Sequence, residues 1–118
     1  MADVSPGALA FIDGAAECGI DAVAGDDVVT LAVTPVTGSR AGLPTQVGVA
    51  LDELTGWPAV PPHWIHMPDD ITFEHTNAQQ STVAGWKKHS RGTPGWGNAE
   101  HPAQAYVSHL RSVLGEAA

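Results

Sequence analysis

Apolar and polar residues alternate along this chain with two different periods. Leu9, Ile12 and Ala16 recur at i, i+3 and i+7, and Phe11, Ala15 and Cys18 form a second row beside them. Such spacing marks one face of a helix. Ser5 followed by Pro6 supplies an N-cap and a proline at the first helical position, and Gly19 suits the C-terminal end. A first helix is therefore predicted near residues 6–18, with Cys18 buried as a small apolar side chain. Residues 28–34 are β-branched and lie between Gly25-Asp26-Asp27 and Pro35, which predicts a strand. Val47, Val49 and Leu51 alternate with Gln46, Gly48 and Ala50, which predicts a second strand with one buried face. The short connection between them favours antiparallel pairing. Ile71-Thr72-Phe73 reads as a further short strand, and the polar, glycine-containing residues 77–99 read as loop with short turns. Pro102 opens a second helix. Ala103, Val107, Leu110 and Leu114 form its apolar face, widened by Tyr106 and Val113. The order of elements predicts a single α+β domain over residues 1–118, with helices packed on an antiparallel sheet.

One segment fits neither period. The run Gly56-Trp57-Pro58-Ala59-Val60-Pro61-Pro62-His63-Trp64-Ile65-His66-Met67-Pro68 carries four prolines, two tryptophans and two histidines. Proline fixes φ near −65° and removes a backbone donor. The segment is therefore expected to run along the outside of the domain in extended or polyproline-like form, with its aromatic rings placed against the body.

Composition narrows the function. A chain of 118 residues with 43% apolar and 15% charged positions can fold as one domain. Its formal charge of −8 argues against a general affinity for nucleic acid. The charge is uneven. Residues 1–60 hold eight acids and only Arg40 as a base, whereas residues 61–118 hold five acids, four bases and all six histidines. Titratable chemistry or partner binding is thus expected in the second half. Cys18 stands alone, so no disulfide or Cys-x-x-Cys site can form within the chain. No stretch reaches membrane-spanning length and no leader pattern is present, so a soluble cytoplasmic protein without membrane association is expected.

Several landmarks in order resemble the ubiquitin-conjugating-enzyme superfamily, and most closely a prokaryotic branch of it that lacks the catalytic cysteine. Trp57-Pro58-Ala59-Val60-Pro61-Pro62 has the spacing of that family's Tyr-Pro-x-x-Pro-Pro segment. His75-Thr76-Asn77 is similar to its His-Pro-Asn, and Trp96 through Pro102, leading into the last helix, is similar to its tryptophan and proline turn. The resemblance spans roughly residues 5–116. It implies an N-terminal helix, an antiparallel β meander, a proline-rich wrap and a C-terminal helix. It also implies a place in a bacterial ubiquitin-like modification system, with a ubiquitin-like protein and its activating enzyme as partners and no cofactor. The departure is at the nucleophile. Where the family's cysteine is expected, this chain reads Gly85-Trp86-Lys87-Lys88-His89-Ser90-Arg91-Gly92.

A thioester needs a thiolate, so two substitutes are expected here. His89 can serve as general base or transient acyl carrier, because neutral imidazole is available near pH 7. Ser90 can take an acyl group as an ester once a histidine removes its proton. Lys87, Lys88 and Arg91 would favour developing negative charge, and Asn77 would donate to the same oxyanion beside His75. Trp86, Trp96 and His66 complete the expected binding surface. Two other readings remain. One is a non-catalytic scaffold that holds the modifier or its activating enzyme. The other is a small metal-dependent hydrolase with His63 and His66 as ligands and His75 or His101 as a third; it is the weaker reading, because prolines exclude a helix around residues 63–66 and no His-Glu-x-x-His is present.

Overall fold

The computed structural model describes residues 4–73, 78–93, 96–98 and 100–118. Helix α1 spans Pro6–Glu17. Ser5 caps it, its Oγ accepting from Ala8 N at 3.1 Å. Cys18 is the C-cap residue and half-buried rather than buried, and Gly19 follows at φ +80°. Strands β1 (Val23–Ala24), β2 (Val28–Val33), β3 (Thr45–Ala50), β4 (Trp64–Pro68), β5 (Ala78–Gln80) and β6 (Trp86–Ser90) form one sheet. Helix α2 spans Pro102–Gly115. Two 3-10 turns, Leu51–Leu54 and Trp96–Asn98, link the parts. The described strands pair antiparallel throughout, in the order β1-β2-β3-β4-β6-β5. The chain is α+β. Among the described residues no helix is long and apolar enough to cross a membrane.

Strand alternation assigns the two faces of the sheet. Val29, Leu31 and Val33 of β2, Val47 and Val49 of β3, and Ile65 and Met67 of β4 point toward the helices. There they meet Ala8 and Phe11 of α1 and Tyr106, Leu110, Val113 and Leu114 of α2 in one core. The opposite face carries Val28, Gly48, His66 and Trp86. A Cβ placed on Gly48 would stand 3.5 Å from a side-chain atom of each of the other three. Gly48 is thus a floor on which the Trp86 ring and the His66 side chain rest.

Three expectations are corrected. The proline segment does not stay outside the domain. Its first part turns, with Val60 N donating to Gly56 O at 2.9 Å, and its last part enters the sheet as β4, between β3 and β6. This is possible because Pro61 and Pro62 precede the strand and Pro68 ends it, so no proline interrupts its middle. Ile71-Thr72-Phe73 is not a strand. Ile71 N bonds Pro68 O at 3.0 Å in a turn that drops the Ile71 side chain into the core. The polar stretch expected as loop contains β5 and β6. The β6 backbone pairs with β4 and the β5 backbone with β6, which outweighs the weak strand propensity of lysine and glutamine.

The wrap is fastened by aromatic rings. Trp57 meets Phe11 edge-on at 5.0 Å between centroids and Tyr106 at 5.8 Å, and lies 5.4 Å from Trp96. Trp96 Nε1 donates to Pro58 O at 2.7 Å, and Tyr106 donates its hydroxyl proton to Pro62 O at 3.3 Å. The Trp57–Pro58 peptide is cis.

Candidate functional site

Strand β6 divides the predicted site residues between two faces. Its register against β4 pairs Trp64 with Ser90, Ile65 with His89, His66 with Lys88 and Met67 with Lys87. Since Ile65 faces the core, so does His89. Only 2% of His89 is exposed, and the Phe73 ring stands edge-on to its imidazole at 5.0 Å. Neither ring nitrogen has a hydrogen-bond partner among the described residues. Burial lowers the His89 pKa, and the neighbouring charges of Arg91 and Lys87 lower it further, so the ring is neutral at pH 7. His89 is expected from the sequence to meet an incoming acyl group; in the structure its side chain lies inside the domain. His109 on α2 is held neutral in the same way, by burial and then by Arg91, with Glu116 opposing. The Arg91 guanidinium lies over the Phe73 ring at 4.7 Å, so Arg91 belongs to this inner group.

Ser90 points the other way. Its Oγ forms a short hydrogen bond with Nε2 of His63, the last residue before β4. Arg91 N donates to His63 O at 2.9 Å, and Arg91 Nη1 donates to Ser90 O at 2.9 Å, which fixes the two backbones against each other. Glu53, on the 3-10 turn, accepts from His63 N at 3.0 Å and from Trp64 N at 3.4 Å. A carboxylate thus anchors the start of β4 and so the position of the His63 ring. His63 is exposed and Ser90 half-buried, so solvent reaches the pair. A hydroxyl bonded to an imidazole is the minimal arrangement for an activated oxygen nucleophile.

On the same face, Lys88 Nζ lies 4.9 Å from the centroid of the Trp64 ring. His66 is only 3% exposed, and its Nδ1 pairs with Ser81 Oγ at 2.6 Å. Burial, and then Lys88, lowers its pKa, with Asp52 opposing and His89 reinforcing. Lys87 is exposed at the rim. The Trp86 ring packs against Gly48, and Trp96 belongs to the wrap rather than to this surface. His75 and Asn77 lie outside the described residues.

His63 and His66 each bind a different serine, and among the described residues no group of three or more His, Cys, Asp or Glu comes together. Reading the sequence missed His63 as the partner of Ser90, Glu53 as its anchor, and Ser81 beneath His66. The usable signal was the alternation Trp64-Ile65-His66-Met67, which marks a strand and, paired with residues 86–90, brings residue 63 beside residue 90.

Comparison of the chain with protein-family models, curated proteins and solved structures finds no match.

Proposed function

We propose that this chain is a conjugating-enzyme-like component of a bacterial ubiquitin-like modification system, and that Ser90, activated by His63, takes the place of the missing cysteine. The observation that carries the reading is the meeting of the proline segment and β6. There Ser90 Oγ and His63 Nε2 share a hydrogen bond within reach of solvent. The order of helix, antiparallel strands, aromatic-clasped proline segment and C-terminal helix supports the conjugating-enzyme likeness. The cysteine cannot serve, because Cys18 ends α1 and lines a separate groove between α1 and α2.

The step balances as an acyl transfer. Ser90 Oγ attacks the carbonyl carbon of a modifier thioester held by its activating enzyme. The hydroxyl proton passes to His63 Nε2, the carbon–sulfur bond breaks, and the thiolate leaves. An oxyester on Ser90 results. His63 Nε2 then gives its proton to the departed sulfur. In the second step it takes a proton from the attacking amine and gives it to Ser90 Oγ as the carbon–oxygen bond breaks, which restores the hydroxyl and the neutral ring.

Two measurements test this. A fluorophosphonate probe labels activated serines, so labelling is expected at Ser90 and is expected to vanish in both Ser90→Ala and His63→Ala. Incubation with a ubiquitin-like modifier, its activating enzyme and ATP is expected to give a hydroxylamine-sensitive adduct by intact mass. The scaffold reading is favoured by one feature: among the described residues no third group hydrogen-bonds His63 Nδ1 to orient the dyad. Unlabelled Ser90 together with tight non-covalent modifier binding would establish the scaffold in place of the enzyme.

A further inference from the structure

Ser90 shares its side of β6 with an amine. Alternate residues of a strand lie on one face, so Lys88 projects from the same helix-free face as Ser90, while Lys87 and His89 belong to the other. Lys88 is half-buried and Lys87 is exposed. In the β4 register, Trp64 stands directly opposite Ser90. Its ring holds the Lys88 ammonium group, with Nζ 4.9 Å from the ring centroid. The Trp64 ring also meets the His63 imidazole edge-on, at 5.7 Å between centroids. His63 Nε2 in turn bonds Ser90 Oγ. Amine, indole, imidazole and hydroxyl thus form one contiguous group.

An acyl group carried by Ser90 would therefore sit beside Lys88. Two residues along a strand separate their Cα atoms by about 7 Å, a span that the flexible lysine stem covers. Trp64 and Lys88 also line an open cleft of about 680 Å³, so the amine has room to swing from the indole toward Ser90. Attack within one chain has the advantage of a preassembled reaction, in which the partners need not meet by diffusion. An amide is more stable than an oxyester, so a transfer from serine to lysine runs one way.

We propose that Lys88 is a self-modification site, which takes the acyl group from Ser90 and keeps it as an amide. This role rests on Ser90 being the nucleophile, and the substrate class that loads it is an acyl thioester. The neutral amine of Lys88 attacks the carbonyl carbon of the Ser90 ester, and a carbon–nitrogen bond forms. His63 Nε2 takes a proton from the attacking nitrogen and gives it to Ser90 Oγ as the carbon–oxygen bond breaks. The serine hydroxyl and the neutral imidazole are restored, and Lys88 loses its charge. Lys87, one residue away on the other face, is not an acceptor.

The test is peptide mapping by mass spectrometry of the protein incubated with the acetyl thioester of mercaptoethanesulfonate. Acetyl is expected on Ser90 first and on Lys88 afterwards, the one declining as the other grows. This wild-type time course reads the transfer without any substitution. Lys88 is expected to be acetylated at least about tenfold faster than Lys87, although Lys87 is the more exposed of the two. In Ser90→Ala the Lys88 rate is expected to fall to that of Lys87. Acetyl that stays on Ser90 overturns the acceptor role and leaves Ser90 standing as the nucleophile. Equal rates at Lys87 and Lys88 in the wild type, or an undiminished Lys88 rate in Ser90→Ala, overturn the acceptor role as well. Acetyl on neither Ser90 nor Lys88 overturns the nucleophile itself, and the acceptor with it.

Discussion

His66, His89 and His109 are all held neutral at pH 7, and burial is the leading cause for each. The second cause is a neighbouring base: Lys88 for His66, and Arg91 for the other two. In the unfolded chain these rings take up protons near pH 6.5; in the folded domain they resist doing so. The unfolded state therefore binds more protons below that pH, and stability falls as pH falls through and below about 6.5 until the depressed folded values are reached. Urea denaturation should show a lower midpoint at pH 5.5 than at pH 7.5, and His89→Leu should reduce that difference. At pH 7.5 the same variant should be as stable as the wild type or more so, since leaving a buried polar group unpaired costs about 1–3 kcal/mol and leucine removes two such nitrogens. His89→Leu should also retain labelling at Ser90. A loss of labelling there would return the chemistry to His89.

At the scale of the element, the decisive features are close approaches and strand ends. A Cβ on Gly7 would stand 2.0 Å from the carbonyl oxygen of Leu54. Helix α1 thus seats on the 3-10 turn only because that position has no side chain. Gly7→Ala should cost about 1–3 kcal/mol by denaturant unfolding, as overpacking does, although alanine is the better helix former. Helix α1 was legible because Ser5, Pro6 and the apolar spacing agree, β2 because its β-branched run is bounded by turn residues, and β3 because its residues alternate. Strand β4 was hidden by prolines whose missing donors fall at its ends. Strand β6 was hidden because its one buried position is His89, flanked by lysines and serine, so no apolar alternation announces it.

Across the whole molecule, Trp57 joins α1, the wrap and α2 through Phe11, Trp96 and Tyr106. Trp57→Ala should destabilise the domain by about 3–5 kcal/mol, the range for large buried aromatics. Val60, in the same segment but 60% exposed, should tolerate alanine within about 0.5 kcal/mol. Denaturation curves of the two variants separate a segment that clasps the fold from one that merely decorates it. The charge asymmetry seen along the chain also acquires a location: Asp26, Asp27 and Asp52 line one cleft together with Lys88.

Local periodicity and capping by themselves determined both helices, the strands β2 and β3 and the α+β class, because those signals lie within a few residues of each other. The division of the candidate site was a tertiary matter. Side chains one residue apart on a strand point to opposite faces, so His89 and Ser90, adjacent in sequence, differ completely in environment. The register of β6 against β4 alone turned His89 into the core and set Ser90 beside His63, a contact spanning 27 residues that no local pattern encodes.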